Sequence, residues 1–250
     1  MARNQDFLIP FLDDIYLGMD IQTLKERVFG RKKGKPIRAF QQSLLDTLLP
    51  QLSVPHEKLL KEKALLPAAL FDKPYEKYFM EIGYGAGEHL AYRTEEHPTF
   101  GYIGAEIFLN GTAALLKHIK DRTTYNLRLH NGDALSVLKA LQDNSLDGIY
   151  ILNPDPWPKR RHFDRRMVNK NNMEIFVRVL KPDGFLMMTT DVADLADWMG
   201  KHAEAHPQLV EATNPKNRAQ MPENWRETRY EAWGKSEGRT QVYMVFTKKT

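Results

Sequence analysis

The sequence predicts an α/β fold in which helices cover both faces of a seven-stranded, mostly parallel sheet with one antiparallel strand. From Tyr75 onward, short apolar runs alternate with longer stretches of helical periodicity, a pattern typical of repeated strand–helix units around a parallel sheet. A glycine-rich segment, Gly83–Gly87, separates the first predicted strand from the helix that follows it. Doubly wound folds bind ligands at a turn of this kind.

The elements follow in chain order from these runs. The predicted strands are Lys77–Gly83, Thr99–Ile107, Leu127–Asn131, Leu146–Asn153, Phe185–Thr190, Gln208–Thr213 and Gln241–Thr247. The predicted helices are Glu88–His97, Gly111–Arg122, Ala134–Gln142, Asp164–Leu180 and Val192–His206. No clear helical pattern separates the last two strands, so we expect them to be neighbours in the sheet, one of them antiparallel.

The composition excludes several classes of protein. The 250 residues, 42% of them hydrophobic, are enough for one full-sized core. No apolar run approaches the roughly 18 residues of a membrane helix, and the first residues lack the pattern of a secretory signal. The absence of Cys excludes disulfides, Cys-ligated zinc, iron–sulfur clusters and thiol catalysis. We therefore expect a cytoplasmic protein that does not enter the membrane.

The positive charge is concentrated in two short segments. The formal net charge is only +4, yet Lys25–Arg38 contains seven cationic side chains and one acidic one, and Lys159–Lys170 contains six and one. The rest of the chain is therefore net negative. Dense basic patches on an acidic body are typical of proteins that hold a polyanion at chosen places, although each patch alone also fits a solvated face. Gly and Pro recur from Gly30 to Pro67, so we expect residues 1–70 to form a basic, partly mobile arm and residues 71–250 to form the sheet domain.

The glycine turn predicts a ligand site. Its glycines allow the backbone to approach a ligand lying across the carboxyl end of the first strand. In the dinucleotide fingerprint the third glycine stands three places after the second, whereas Gly87 stands two places after Gly85 and is followed by Glu88. A carboxylate is a poor neighbour for a pyrophosphate. The turn therefore argues against NAD.

Acidic residues end the second and third predicted strands. Glu106 lies 19 residues beyond Gly87, the spacing at which a carboxylate reaches ribose hydroxyls, and Asp133 is placed to accept from an adenine amino group. Taken singly, Glu106 also fits a solvated strand-end acid and Asp133 a helix N-cap. Taken together with the glycine turn, the two acids fit S-adenosyl-L-methionine. The combination resembles the class I S-adenosylmethionine-dependent methyltransferase (Rossmann-like) fold.

The fourth predicted strand runs into an unusual proline-rich string, Asn153-Pro-Asp-Pro-Trp-Pro-Lys-Arg-Arg-His-Phe-Asp-Arg-Arg166. The prolines stiffen the loop at the sheet edge where doubly wound folds bind ligands. This places Asp155 and Trp157 at the mouth of the cofactor site, with basic residues behind them to contact phosphates. Trp157 fits either of two roles, stacking on a base or covering the core.

Three segments carry a resemblance to one family. Asn153–Arg166, Phe29–Arg38 and Thr228–Gly234 resemble the corresponding motifs of the bacterial tRNA (guanine-N7-)-methyltransferases, the TrmB family, and the resemblance extends over the chain from about Phe29. It implies methyl transfer from S-adenosyl-L-methionine to guanine N7 at nucleotide 46, in the variable loop of tRNA. The chain departs from the family at Phe163-Asp164, where members commonly carry another polar or basic residue.

The resemblance also implies roles for individual residues. The cofactor would be held by the glycine turn, with Gly83, Gly85 and Gly87, and by the acidic residues Glu81, Glu106, Asp133 and Asp155. The tRNA would be met by Lys159, Asp191, Thr228, Arg229, Tyr230 and Glu231. Because the methylated guanine is cationic, our hypothesis is that Asp155 is the catalytic residue and stabilises the developing charge or accepts from the Watson–Crick edge, while Asp191 helps to hold the base.

Other classes of protein fit parts of the sequence less well. A Rossmann-type RNA-binding module without catalysis would use the basic patches alone, and an NAD-dependent oxidoreductase lacks the third fingerprint glycine. His202 and His206 stand at a metal-clamping spacing, but no third ligand lies near them in the sequence, so we expect no metal. The number of chains in the assembly, one or two, stays open.

Overall fold

The computed structural model describes residues 34–61, 64–223 and 225–250. Within these residues seven strands form one sheet in the order β3-β2-β1-β4-β5-β7-β6. Their bounds are β1 Lys77–Ile82, β2 Phe100–Ala105, β3 Leu127–His130, β4 Leu146–Leu152, β5 Leu180–Thr190, β6 Leu209–Glu211 and β7 Val242–Lys248. Strand β7 runs antiparallel to both neighbours, β5 and β6, and the other adjacent pairs are parallel. The predicted fold class is confirmed.

Helices cover both faces of this sheet. In the described residues they are α1 Ala39–Thr47, α2 Leu49–Leu52, α3 His56–Lys61, α4 Glu88–Glu96, α5 Leu109–Ile119, α6 Ala134–Ala140, α7 Lys170–Val179, α8 Ala193–Glu204 and α9 Arg229–Ser236. Short 3-10 turns occupy Pro67–Leu70, Arg160–Arg165 and Pro215–Asn217. The helices that link parallel strands supply the crossovers that such pairing requires.

The strand order reverses between β1 and β4, two adjacent inner strands. Their neighbours β2 and β5 continue the sheet in opposite directions. In a doubly wound sheet the reversal opens a crevice at the carboxyl ends of the strands, and ligands bind in that crevice. The loops after β1, β2, β3 and β4 therefore share one edge of the molecule.

Two hydrophobic cores lie on the two faces of the sheet. Along β1, Met80 and Ile82 pack into one core while Phe79 packs into the other, as the alternation of side chains along a strand requires. The second core is rich in aromatic rings, and Phe79 stacks on Tyr102 with 5.4 Å between ring centroids. Because Glu81 is two residues after Phe79, its carboxylate is on this aromatic face at the carboxyl end of β1.

The first segment after residue 33 packs against the sheet domain. Leu45 on α1, Leu52 on α2 and Leu48 between the two helices are buried in the aromatic core. The Val54 amide donates to the Leu129 carbonyl at the edge strand β3. The domain boundary predicted at residue 70 stays a prediction. The partial mobility predicted for residues 1–70 also stays a prediction. Most of the first basic patch, Lys25–Lys33, lies outside the described residues.

Several elements differ from those predicted. The helix predicted to begin at Asp164 begins at Lys170, because Arg160–Arg165 form a 3-10 turn and the Asn169 side chain caps the helix by accepting from the Asn172 amide at 3.0 Å. Strand β5 begins at Leu180, five residues earlier than predicted. Helix α9 lies in a segment for which no helix was predicted.

None of the helices in the described ranges is long and apolar enough to cross a membrane.

Candidate active site

A cavity of about 570 Å³ opens at the carboxyl ends of β1 and β4, where the sequence predicts the ligand site. One wall is the glycine turn between β1 and α4, and the opposite wall is formed by Trp225 and the first residues of α9. The lining residues comprise Glu81, Gly83–His89, Leu152, Asn153, Trp225, Thr228–Glu231 and Trp233. The structure therefore brings the predicted cofactor turn and the predicted tRNA segment 228–231 to the same cavity.

The glycine turn is held in a conformation that favours glycine. The backbone φ angles of Gly83, Gly85 and Gly87 are +70°, +54° and +74°, values that residues other than glycine rarely adopt. A Cβ atom added at Gly83 or Gly85 would meet no protein atom within 4 Å, whereas one at Gly87 would lie 2.6 Å from Leu115. The first two glycines thus leave open space beside the backbone, and the third allows α4 to pack on α5.

Glu106 follows β2 and holds the glycine turn in place. Its carboxylate accepts from the Gly85 amide at 2.8 Å and from the Ile107 and Phe108 amides at 2.8 and 2.9 Å. Burial raises the pKa of Glu106, these amides oppose the rise, and the charge of Asp155 adds to it. A carboxylate has about four lone-pair sites, so three amides leave capacity for a ligand hydroxyl.

Glu81 ends β1 as a buried carboxylate. Its Oε2 is 2.7 Å from Nδ1 of His89, which lies in the first turn of α4. The imidazole in turn stacks on Trp225 and meets the edge of Tyr150, each with 4.9 Å between ring centroids. A carboxyl group is therefore fixed at the base of the cavity.

Asp133 caps the helix that follows β3. Its carboxylate accepts from the Leu135 amide at 3.0 Å at the N-terminus of α6. It lies two strands away from Glu81 along the edge, outside the cavity lining. The capping role weighed in the sequence is present, and binding of adenine stays a prediction.

The proline-rich loop after β4 contains two strained residues. Asn153 and Trp157 have φ of +46° and +42°, a region that costs a non-glycine residue on the order of 1–3 kcal/mol. Asn153 is held by Gln241, which donates to its side chain at 2.9 Å, and by its own amide, which donates to the Thr189 carbonyl at 3.0 Å. Strain of this kind clusters at functional sites.

Arg166, assigned by the sequence to the phosphate-binding patch, is instead buried inside the loop. Only 1% of its side chain is exposed, and it donates to the Pro156 carbonyl at 2.9 Å and to Asp194. Its guanidinium lies 3.9 Å from the Phe163 ring centroid and 4.9 Å from that of Trp198. The assignment of Arg166 to the patch is wrong, because its charge is enclosed by the loop that it supports.

Two further residues take part in this arrangement. Asp194, although largely exposed, accepts from Arg166. Phe163, at the position where the chain departs from the family motif, packs on Trp198 with 5.1 Å between ring centroids. The departure therefore adds an aromatic contact under the loop.

Asp155, Trp157 and Lys159 lie on the outer side of the same loop. Asp155 and Lys159 are exposed, and Asp155 is close enough to Glu106 and Tyr230 to raise their pKa values. Trp157 is half-buried, beside His162 and under the Arg165 guanidinium, which is 5.1 Å from its ring centroid. It belongs to neither hydrophobic core of the described residues, so the core-covering role is not the one observed.

The segment 228–231 forms the N-terminus of α9 through a capping box. Thr228 Oγ1 accepts from the Glu231 amide at 3.2 Å, and Glu231 Oε2 accepts from the Thr228 amide at 2.7 Å. Glu231 is buried and also accepts from the Trp225 indole at 3.2 Å. Its carboxylate is thus occupied within the protein, and a direct contact with tRNA stays a prediction.

Arg229 and Tyr230 are the exposed members of this segment. The Arg229 amide donates to Glu88 at 2.9 Å, which joins α9 to the glycine turn across the cavity. Tyr230 is 48% exposed, and burial together with the Asp191 carboxylate raises its pKa. Its hydroxyl is therefore near the acids that the sequence assigns to the substrate.

Asp191 follows β5 and faces α9. Only 4% of its side chain is exposed, and its Oδ2 lies 3.1 Å from Nε of Arg239. A Cβ atom at Gly234 would lie 2.7 Å from that oxygen, so the glycine allows the helix to approach. Arg239 also lies over the Trp233 ring at 4.5 Å.

Sequence reasoning missed the residues that connect these walls, chiefly His89, Trp225 and Arg239. His89 lies two residues after the glycine turn, which is a usable signal, whereas nothing local identifies Trp225 or Arg239. His202 and His206 contact different groups of the protein. His202 Nδ1 is 2.8 Å from the Trp198 carbonyl, and His206 Nε2 is 3.4 Å from Glu174. No cluster of three His, Asp or Glu suited to a metal occurs in the part of the chain that the structure describes.

Comparison with known proteins finds similarity in sequence and in fold. A family model described as "Putative methyltransferase" matches residues 75–244. Two curated proteins named tRNA (guanine-N(7)-)-methyltransferase are similar over most of their length. The one from Rhodospirillum rubrum is 40% identical, over 89% of this chain and 88% of the relative. The one from Erythrobacter litoralis is 42% identical, over 84% of this chain and 88% of the relative.

A solved structure shows the fold at much lower sequence identity. The crystal structure of PH0851 superposes with a TM-score of 0.51 at 12% identity, over 73% of this chain and 45% of that one. This likeness concerns the fold alone. On the family model and the curated relatives together, the chain belongs to the tRNA (guanine-N(7)-)-methyltransferase family.

Proposed function

We propose that this protein transfers a methyl group from S-adenosyl-L-methionine to N7 of a guanine in tRNA. The observation that carries the proposal is the pairing of an open glycine turn with two strand-end carboxylates, the buried Glu81 and the half-buried Glu106, at the edge where the strand order reverses. The target we propose is nucleotide 46 in the variable loop, the position implied by the family resemblance of Asn153–Arg166.

The residues present fit a cationic cofactor. The methyl donor carries a sulfonium and an ammonium group, and the groups near the turn are predominantly acidic. Gly83 and Gly85 leave open space beside the backbone, and Glu106 retains lone-pair capacity beyond its three amide partners. A pyrophosphate would meet these carboxylates unfavourably.

The order of the strands supports one arrangement of the cofactor along these acids. Asp133 follows β3, Glu106 follows β2 and Glu81 ends β1. Adenine would lie near Asp133, the ribose hydroxyls near Glu106 and the amino-acid end near Glu81. The methyl group would then be presented to the cavity beneath the loop that carries Asp155.

The chemistry demands little of the protein beyond positioning. When bound, the cofactor supplies an electrophilic methyl group, and guanine N7 has an unprotonated lone pair at neutral pH, so attack needs no general base. Holding the reactants in line contributes on the order of 7–11 kcal/mol in well-oriented systems. Asp155 would stabilise the positive charge that develops on the purine, and Asp191, held by Arg239, would help to fix the base.

The tRNA would approach from the side of the proline-rich loop. Lys159, Arg160 and Arg161 are exposed there, and Tyr230 lies exposed at the cavity. Cationic side chains contact phosphates, and aromatic rings stack on unpaired bases. The exposed charges and ring together fit a single-stranded loop of a folded RNA.

One assay tests the proposal against a non-catalytic RNA-binding module. The protein is incubated with S-adenosylmethionine labelled in its methyl group and with bulk tRNA, and the modified nucleoside is identified and mapped. We expect 7-methylguanosine at nucleotide 46. Calorimetric titration with S-adenosylhomocysteine supplies the second measurement, because the enzyme requires saturable binding. Tight tRNA binding without either result would favour the module.

A further inference from the structure

A buried imidazole–carboxylate pair lies at the base of the cavity. His89 Nδ1 and Glu81 Oε2 are 2.7 Å apart, and each side chain is only 3% exposed. Both residues line the cavity. Glu81 comes from the end of β1 and His89 from the first turn of α4, so the pair spans the glycine turn from both sides.

The imidazole has little freedom to rotate. Trp225 stacks on it with an interplanar angle of 29°, and Tyr150 meets it edge-on at 60°. Trp225 is itself tied to Glu231 in α9. The orientation of His89, and through it of the Glu81 carboxylate, is therefore set by the walls of the cavity.

Only one of the two imidazole nitrogens of His89 has a hydrogen-bond partner among the described residues. His89 Nε2 is buried and has no hydrogen-bond partner among the described residues, which is uncommon for a buried polar atom. The partner of Nδ1 is the carboxylate, so Nδ1 is the donor nitrogen. A carboxylate partner on one imidazole nitrogen fixes the tautomer and the ring orientation.

We propose that His89 is a positioning residue that holds the Glu81 carboxylate toward the ammonium end of the methyl donor. The inference rests on the proposed function, because it takes the cofactor to bind along the edge of the sheet. Glu81 Oε2 accepts from His89, which leaves Oε1 for a cationic ligand. Without His89, a buried carboxylate would lose its charge-assisted partner and its orientation.

Two ligands that differ only at one end test this assignment. S-adenosylhomocysteine contains the amino-acid end, and 5′-methylthioadenosine lacks it. His89→Phe keeps an aromatic ring between Trp225 and Tyr150 but removes the donor. We expect this variant to lower the affinity for S-adenosylhomocysteine on the order of tenfold, the loss typical of a charge-assisted hydrogen bond. The affinity for 5′-methylthioadenosine should stay within about twofold of the wild-type value, and titration calorimetry measures both. Equal loss for both ligands, or no loss for either, overturns the inference.

Two conservative variants provide rescue and control. The side-chain amide introduced by His89→Asn would stand near the position of Nδ1, whereas the longer side chain of His89→Gln places its amide nearer to Nε2. We expect His89→Asn to regain most of the S-adenosylhomocysteine affinity and His89→Gln to regain little. The opposite order would show that the donor at Nδ1 is not what matters. Because both variants are polar and of similar size, this comparison holds even where His89→Phe folds poorly.

A double-mutant cycle separates positioning from general stability. If His89 acts through Glu81, then His89→Phe should cost little further affinity for S-adenosylhomocysteine in a Glu81→Gln background, because residues in direct contact are not additive. Additive losses overturn the inference. The thermal midpoint and tRNA affinity of each variant are measured in parallel, and tRNA affinity should stay at the wild-type value.

The outcome also distinguishes this inference from the proposed function. Failure of the wild-type protein to bind S-adenosylhomocysteine would overturn the proposed function itself. Wild-type binding together with an unchanged His89→Phe variant would overturn only the role of His89.

Discussion

The Arg166 guanidinium donates to the backbone carbonyl of Pro156 at 2.9 Å from a position that is almost completely buried. It thereby links the proline-rich loop to Asp194 in α8 and to the rings of Phe163 and Trp198. The loop that carries Asp155 is thus held in place by the buried Arg166 side chain, in addition to the stiffness of its prolines.

Replacing Arg166 should destabilise the protein and misplace Asp155. Arg166→Met keeps the aliphatic stem but loses the hydrogen bonds, each worth about 1.5–3 kcal/mol when one partner is charged. Because Asp194 is largely exposed, its bond contributes little, and the buried bond to the Pro156 carbonyl dominates. We therefore expect a loss of about 2 kcal/mol in the free energy of unfolding, measured in urea, and a fall in kcat with little change in the affinity for S-adenosylhomocysteine.

The matched control is Arg161→Met in the same basic string. Arg161 is exposed, and such surface changes usually stay within about 0.5 kcal/mol. Its loss should reduce tRNA affinity instead. If Arg166→Met resembled Arg161→Met in stability and in tRNA binding, Arg166 would be a phosphate contact after all.

This pair of arginines shows where the sequence stops being informative. Arg161 and Arg166 belong to one basic run, and local pattern gives no reason to separate them. Their difference arises from tertiary packing, since Trp198 and Asp194 come from a helix that follows much later in the chain. Burial of a charge is decided by such distant partners.

The strands were predictable because each is a short apolar run, and the glycine turn because its residue types are restricted by φ. Helix α9 was missed although its capping box, Thr228 followed three residues later by Glu231, is a recognised N-terminal signature. Its short length and weakly apolar face hid the periodicity. The wall that α9 and Trp225 form was therefore beyond the sequence prediction.

The glycine turn yields a prediction about cofactor binding. Gly85→Ala introduces a Cβ into open space at φ of +54°, which costs about 1–2 kcal/mol of stability through backbone strain. The same methyl group enters the space that the ligand would occupy. We therefore expect a marked loss of S-adenosylhomocysteine affinity by calorimetry.

Gly238→Ala separates the two effects. Gly238 has φ of +75° and likewise has no atom within 4 Å of an added Cβ, but it lies after α9, outside the cavity lining. It should lose similar stability and keep cofactor affinity. Equal affinities in the two variants would contradict ligand contact at Gly85.

Asp155 should act on turnover rather than on binding. Asp155→Asn keeps the shape of the side chain but removes the charge that faces the developing cation. Loss of one electrostatic stabiliser typically reduces kcat on the order of 10²-fold. Single-turnover methylation at saturating tRNA and cofactor measures this step.

The control is Asp164→Asn, which removes an exposed carboxylate from the same basic string. It should leave kcat unchanged. Full turnover in Asp155→Asn, with normal affinity for tRNA, would show that the carboxylate has no part in the chemistry.

The carboxyl group of Glu106 should make both protein stability and ligand affinity depend on pH. Burial raises its pKa above the ordinary 4.5, so the folded state holds this proton more tightly than the unfolded state. Its contribution to stability is therefore fully present below the unfolded pKa and is lost as the pH rises through the folded pKa. A ligand hydroxyl that donates to the carboxylate favours the ionised form and draws the pKa down.

Binding of S-adenosylhomocysteine should consequently release protons at pH values between the pKa of Glu106 in the complex and its raised pKa in the free protein. Calorimetry in two buffers of different ionisation enthalpy measures that release, and affinity should fall as the pH is lowered through this window. Glu106→Gln removes the titrating group and should flatten both responses. Identical pH profiles for the two proteins would refute the assignment of Glu106 to the ligand.

The exposed part of the basic string predicts the salt dependence of tRNA binding. Each cationic side chain that neutralises a phosphate contributes a slope of about −0.7 to −0.9 to the plot of log affinity against log salt. Arg160→Gln and Arg161→Gln should each weaken tRNA binding and reduce that slope by nearly one, without changing the affinity for S-adenosylhomocysteine. Lys201→Gln, an exposed change on α8, should alter neither.

Arg166 is enclosed by Phe163 and Trp198, so its replacement should leave the salt slope intact even where activity is lost. A reduced slope in Arg166→Met would mean that the loop opens to expose this charge when tRNA binds.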